Sequence, residues 1–449
     1  MKKRILLLLL LSQAVQADIK PIVRDSTHTN IWGMACHNTG LYFTEMGGKF
    51  YRQTEDTTVL LLHKLVSPIG QVGLLDVVMT ERTGKLYALL SMVDVFDRFL
   101  VQEYRVEGNV AILERTLFDI AAYHQKMGGR LEVANNGVFV SVGVGNTAAQ
   151  AQDLTVPYGK IWFIDLITGN AYIYATGFRN VQGLTIDSHS NLYSSEHGNI
   201  GGDEINLVLE GENYGYGAAD SLITVPPLLE FAKAPSGAVF YEGDYLPNLT
   251  GRIVVAQLKG KAVMASDLIT PAYPIYMKNE FGRFRDVCAC TDGRVYVSTS
   301  NNDLYGAGGT DYIIELQPKI KLQVVLEGGQ NDSLQIDYFT DGELTGEEQV
   351  WLADSSTWIH PPNGITHIVV RHSNHIDVVT DAPFSTTIDA GVLLAGDADS
   401  DEVITVHDFN LFQSGVLMAD FNGDGELTVA DFNLYFKNLG VIGDSKVRD

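Results

Sequence analysis

A turn residue followed by a short apolar run rich in Tyr, Phe and Val recurs along the first two thirds of the chain. Its copies are Gly40-Leu-Tyr-Phe-Thr, Gly84-Lys-Leu-Tyr-Ala, Gly137-Val-Phe-Val-Ser, Asn191-Leu-Tyr-Ser-Ser, Gly251-Arg-Ile-Val-Val and Gly293-Arg-Val-Tyr-Val. Their spacing of roughly 40 to 60 residues is what a four-stranded blade needs, and helical periodicity is nearly absent. The pattern predicts an all-β fold with a six-bladed β-propeller over residues 18–317. An array of β-sandwiches has similar strand spacing and is the competing reading. A propeller gathers loops from every blade at one end of a central channel, so residues distant in sequence can line one pocket.

The pattern changes near Pro318. Lys319 to Leu326, Ser333 to Phe339, Gln349 to Ala353, Ile365 to His372 and His375 to Thr380 read as short strands, with a turn at Pro361-Pro362-Asn363-Gly364. This predicts a small β-sandwich module over 318–395, resembling carboxypeptidase-regulatory-like or fibronectin-like modules. His360, His367, His372 and His375 have no metal-ligand spacing and read as solvent or core residues.

Near Gly396 the pattern changes again, and two copies of one twelve-residue pattern follow. The first runs from Asp397 through Asp399, Asp401 and Val403 to Asp408; the second from Asp420 through Asn422, Asp424 and Glu426 to Asp431. Side-chain oxygens at loop positions 1, 3, 5 and 12, with a main-chain carbonyl at position 7, suit calcium, and each loop leads into a Phe-Asn-Leu helix. The shared phase argues against a merely solvated acidic tail. With aspartate at position 12, the pair resembles a dockerin, here a short α-helical domain with two calcium loops over 396–440, followed by a tail over 441–449. That resemblance implies a cohesin-type partner. Glu402 stands at position 6 of the first loop, where glycine is usual.

Composition narrows the function. Lys2, Lys3 and Arg4, the apolar run Ile5 to Leu11 and the small residues before Asp18 read as a secretory signal over 1–17, so the mature chain is expected outside the cytoplasm. No later run is long enough for a membrane span. A net charge of −24 argues against nucleic acid as a partner. Three cysteines, Cys36, Cys288 and Cys290, supply no disulfide framework and read as buried free thiols.

In so acidic a chain, clustered basic residues need a reason. Arg283 and Arg285 alternate onto one strand face, where guanidinium groups can pair with carboxylates or stack on a ring. Lys259 is a compact cation in Gln257-Leu-Lys-Gly260. From Gly177 to Tyr216 an Arg179-Asn180 pair, a His197-Gly198 turn and an Asp203-Glu204 pair separate short strand-like runs. With Trp32-Gly-Met-Ala, Gly70-Gln71-Val-Gly73, His124 ahead of Gly128-Gly129-Arg130-Leu131, and Pro235-Ser236-Gly237, these motifs resemble the soluble glucose and aldose sugar dehydrogenases, quinoproteins that use pyrroloquinoline quinone (PQQ).

The resemblance covers nearly all of residues 30–317. It implies His124 as general base, Gln71, Arg179, Asn180, His197, Lys259, Arg283 and Arg285 as cofactor contacts, and calcium on the carbonyls of Gly198 and Asn199. A second calcium near Asp203, Glu204 and Tyr214 is a further expectation. The implied reaction oxidises the anomeric hydroxyl of an aldose to a lactone by hydride transfer, and an external acceptor reoxidises the cofactor. The chain departs from the family pattern at Val144, Val181, Asn199 and Phe231, and Gln125-Lys126-Met127 intervenes between His124 and the two glycines. A non-catalytic propeller that binds protein or carbohydrate is the alternative.

Overall fold

The computed structural model describes residues 19–67, 69–70, 72–199, 202–219, 224–270, 273–328, 332–362, 364–382, 387–415, 419–422 and 426–443. The signal segment, Gln71 and Asp424 lie outside them. The chain forms two compact units, one spanning Pro21–Leu316 and the other Gln317–Asp449 with Asp18–Lys20. Both are built of strands. Among the described residues two α-helices occur, and none is long and apolar enough to cross a membrane.

Among the described residues of the larger unit, six four-stranded sheets follow one another in sequence. Their first strands are Ile31–His37, Leu74–Arg82, Gly128–Ala134, Val181–Ile186, Pro235–Tyr241 and Phe284–Ala289, each packed on the next and the last on the first. The sheets therefore close a ring. The last sheet takes Ile19–Asp25 as its outer strand, beside Ile313–Pro318, so both ends of the ring sequence meet in one sheet.

Burial follows position in the sheet. Inner segments such as Gly137–Val142 are covered on both faces, whereas the outer strand Val110–Ala121 alternates exposed and partly covered residues. Close packing of the inner strands depends on small residues. A Cβ at Gly33 would collide with the Asp76 carboxylate, and one at Gly237 with that of Asp286. Those carboxylates stitch neighbouring sheets: Asp76 accepts from Leu131 N–H at 2.8 Å and Asp286 from Met34 N–H at 2.6 Å. Arg130 lies between them at 3.2 and 3.1 Å.

One expectation is corrected. Cys36 and Cys290 form a disulfide across 254 residues, with Cα atoms 5.0 Å apart, and only Cys288 is a buried free thiol. Ring closure brings the ends of the first and last inner strands side by side, a proximity that sequence spacing cannot reveal.

In the smaller unit a three-stranded sheet and a four-stranded sheet enclose an apolar core that includes Leu322, Ile336, Ile359, Ile368 and Leu393. The strands Ser356–Ile359 and Thr387–Leu393 are additional to the sequence reading, and the latter pairs in parallel with Ile320–Leu326. The histidines take structural roles. His360 bonds Glu348 at 2.6 Å, His367 stacks on Phe339, and His372 and His375 face each other at 2.9 Å.

The helices Val406–Gln413 and Val429–Asn438 begin with the same device. Thr405 and Thr428 are N-caps with identical φ and ψ, and Asp408 and Asp431 close the capping boxes.

Candidate functional site

The loops joining these sheets position a cluster of polar groups. Glu196, buried at the end of Leu192–Glu196, accepts the N–H groups of Arg179 and Asn180 and so fixes the turn that presents both side chains. Burial pushes Glu196 up to about 8 despite those bonds and Arg179. Asn180 Oδ1 accepts from Gly128 N–H at 3.3 Å and from Gln182 at 3.2 Å, tying the loop before Gly128 to the Arg179–Asn180 turn. Arg179 donates to the His197 carbonyl at 3.0 Å. Asp203 accepts from Gly198 N–H at 3.0 Å and Ala234 N–H at 2.7 Å, which folds the segment carrying Gly198 and Asn199 back on its strand. Tyr214 serves packing instead: it stacks on Phe178 and its hydroxyl bonds the backbone of Leu207 and Leu209.

These elements border a cavity of about 290 Å³. Its wall includes Trp32, Lys126, Asn180, Gln182, His197 and Lys259, with Arg283, Arg285 and Tyr305. Asp303 organises the arginines, pairing with Arg283 at 3.2 Å and Arg285 at 2.5 Å and accepting from Ser300 at 3.1 Å. Burial acts to raise Asp303, yet Arg285 and Arg283 hold it below the usual carboxylate range. Burial lowers Arg285 to about 9, with Asp303 opposing the fall. The Arg285 guanidinium lies 3.8 Å above the Trp32 ring. His197 is neutral, held at about 3 by burial and by the charges of Arg285, Arg179 and Arg283.

The wall carries unused hydrogen-bonding capacity. Among the described residues, Nε of Arg179, Arg283 and Arg285, Nε1 of Trp32 and Nε2 of His197 are buried without a partner. Lys126 and Lys259 have no ion-pair or hydrogen-bond partner among the described residues. Buried donors left open cost about 1–3 kcal/mol each, so their convergence marks a place shaped for an acceptor-rich, anionic ligand.

Of the residues expected at this site, Asn180, His197, Lys259, Arg283 and Arg285 are brought together in the wall, with Arg179 behind His197. His124 is not in it: its Nε2 lies 3.5 Å from Asp97, and its Nδ1 is buried without a partner among the described residues. Sequence reasoning passed over Lys126, Gln182, Asp303 and Trp32. Trp32 and Gln182 belong to motifs already quoted, whereas Asp303 in Asn301-Asn302-Asp303 looks like any loop acid.

In the smaller unit, ligand oxygens of Asp397, Asp399 and Asp401 lie within 4.8 Å of one another. Burial, followed by repulsion from Asp408 and Asp399, raises Asp397 to about 6. Asp408 accepts from Ala398 N–H at 2.8 Å and Thr405 N–H at 2.7 Å; Asp431 repeats this with Asn422 at 3.1 Å and Thr428 at 2.8 Å. Glu402 adopts the left-handed φ of 65° and pairs with Arg371 at 3.2 Å.

Residues 28–305 match the family model described as Glucose / Sorbosone dehydrogenase. The aldose sugar dehydrogenase YliI of Escherichia coli is 31% identical over 213 residues, which is 39% of this chain and 57% of that protein. The chain therefore spans less than two thirds of this curated relative. The PQQ-bound aldose sugar dehydrogenase of Streptomyces coelicolor shares the fold at a TM-score of 0.58 and 24% identity, covering 68% of this chain and 99% of that one. The apo-form of the soluble aldose sugar dehydrogenase of Escherichia coli does so at 0.57 and 24%, covering 67% and 99%. With more than half of its length matched by that model, the chain belongs to the glucose/sorbosone dehydrogenase family.

Proposed function

We propose that this protein is a quinoprotein oxidoreductase that oxidises the anomeric hydroxyl of an aldose to a lactone with PQQ. One observation carries the reading: a chain of net charge −24 brings two arginines, and two lysines with no partner among the described residues, to one cavity. PQQ is a planar tricarboxylate, and the open donors of Arg179, Arg283, Arg285 and Trp32 suit its oxygens. When bound, the quinone supplies the hydride-accepting centre. Lys259, Arg283 and Arg285 would hold its carboxylates, Trp32 and Arg285 would offer flat surfaces, and the neutral His197 would present Nε2 as an acceptor without adding charge. The main-chain carbonyls of Gly198 and Asn199 are the candidate calcium ligands, and Gln71 remains a candidate contact.

His124 is the proton acceptor implied by the family pattern. Its place beside Asp97, outside the wall, favours the second reading, a non-catalytic propeller that binds protein or carbohydrate. The six sheets correspond in this proposal to six propeller blades. The C-terminal repeats correspond to a dockerin-like domain whose Asp397, Asp399, Asp401, Val403 and Asp408, and Asp420, Asn422, Asp424, Glu426 and Asp431, form two calcium loops. Such a domain would attach the enzyme to a cohesin-type partner, and the Cys36–Cys290 disulfide agrees with a secreted protein.

The test is titration of the mature protein with PQQ and calcium, followed by dye reduction with a panel of aldoses. Cofactor binding with turnover is the expected result. Binding without turnover points to the wrong sugar or a displaced base, and absence of binding overturns the quinoprotein reading and leaves the second.

A further inference from the structure

The loop between His124 and Gly128 carries a residue that no motif singled out. Lys126 lines the cavity, whereas His124, two positions earlier, points to Asp97. Lys126 has a φ of 54°, a left-handed conformation that is strained for a non-glycine residue. Glycine would relieve that strain. The loop is held in this shape: Gly143 N–H donates to the Met127 carbonyl at 3.0 Å, and a Cβ at Gly143 would collide with the Lys126 carbonyl oxygen. Asn180, itself in the wall, accepts from Gly128 N–H. Lys126 is half-buried and has no ion-pair or hydrogen-bond partner among the described residues. A cation is thus kept at a strained position facing a cavity whose other basic groups, among the described residues, are Lys259, Arg283 and Arg285, of which the arginines have a carboxylate partner there, Asp303.

We infer that Lys126 is a cofactor-anchoring residue, a cation on the loop side of the cavity that binds a carboxylate of the ligand opposite the arginine pair. The inference rests on the proposed quinone site and adds to it a residue specific to this chain's Gln125-Lys126-Met127 segment. Lysine suits the task because its ammonium is a compact point charge on a flexible stem and needs no bidentate geometry. The strain at φ 54° is then part of binding, since the surrounding contacts hold the backbone that presents the ammonium before the ligand arrives.

The experiment is equilibrium dialysis of PQQ, with calcium present, against the full chain and four variants: Lys126→Ala, Lys126→Gly, Lys126→Arg and the exposed-surface control Lys85→Ala. Loss of one charge-assisted contact weakens binding by roughly 10- to 100-fold. Lys126→Ala and Lys126→Gly should show this loss, Lys126→Arg should recover most of it, and Lys85→Ala should match the parent chain. The glycine variant accepts the left-handed φ, so weakened binding in a protein whose melting temperature is unchanged or raised separates lost charge from lost fold. If the parent chain binds PQQ and the alanine and glycine variants bind equally well, Lys126 is not an anchor and the quinone site stands. If the parent chain binds no PQQ, the site reading fails and the inference fails with it.

Discussion

The replacement Asp303→Asn separates the two charges that the cavity has to balance. The Asp303 side chain is fully covered and pairs with both Arg283 and Arg285. Asparagine keeps the shape, removes the negative charge and turns an amide N–H₂ toward one guanidinium. Breaking a buried pair by removing one partner costs about 3–5 kcal/mol. At roughly 2 °C per kcal/mol for a unit of this size, the larger unit should melt on the order of 10 °C lower in the absence of ligand. The ligand effect should run the other way. A bound tricarboxylate supplies the anion that the variant lacks, so the rise in melting temperature on adding PQQ and calcium should be greater in Asp303→Asn than in the parent chain. Differential scanning fluorimetry at pH 7, with and without PQQ, reads both quantities. An unliganded variant melting within about 2 °C of the parent would refute the holding role of Asp303. An equal ligand-induced rise in both proteins would show that the arginines are not what the ligand meets.

Three further outcomes are expected. Cys36→Ser with Cys290→Ser should lower the stability of the larger unit by about 2–5 kcal/mol, because the bridge ties strands 254 residues apart; unchanged denaturant midpoints would count against the closure role. Burial, then Asp76, raises Glu132 from 4.5 to about 8, so the folded state holds its proton through that window and stability falls as pH rises from about 4.5 to about 8. Glu132→Gln should therefore match the parent near pH 4.5, exceed it at pH 9 and show a shallower slope, although Asp76, also raised, keeps some slope in place; superimposable pH profiles would sink this account. Calcium at about 100 times its Kd should stabilise the smaller unit by about 2.7 kcal/mol, with the gain removed by a chelator and by Asp397→Asn together with Asp399→Asn; a calcium-independent melting curve would remove calcium from these loops.

What the sequence revealed and what it hid divide along a physical line. Gly40-Leu-Tyr-Phe-Thr and its five counterparts announce strands because a turn followed by a both-faces-covered apolar run is a local signal, and all six fall on strands of the ring. The two C-terminal loops are equally local, since each capping box needs only a threonine and an aspartate three residues on. The Cys36–Cys290 bridge and the parallel pairing of Thr387–Leu393 are not local: each depends on where a distant strand ends up. Asp303 was invisible for the same reason, because only the fold carries it to Arg283 and Arg285.

The His124 to Gly128 loop is the instructive case. Motif order places His124 before Gly128-Gly129-Arg130, yet order along a chain fixes side-chain direction only while the backbone stays regular. At Lys126 the backbone turns left-handed, at Gly128 and Gly129 it does so again, and the direction of each side chain is reset. The residue delivered to the cavity is then decided by backbone geometry at three positions, and in this chain it is a lysine. A lysine wall fits a ligand that is itself strongly anionic, while proton removal from a sugar needs a neutral acceptor within reach. Binding and turnover therefore place separate demands on a loop five residues long, which is why PQQ affinity and aldose oxidation have to be measured independently in the Lys126 and His124 variants.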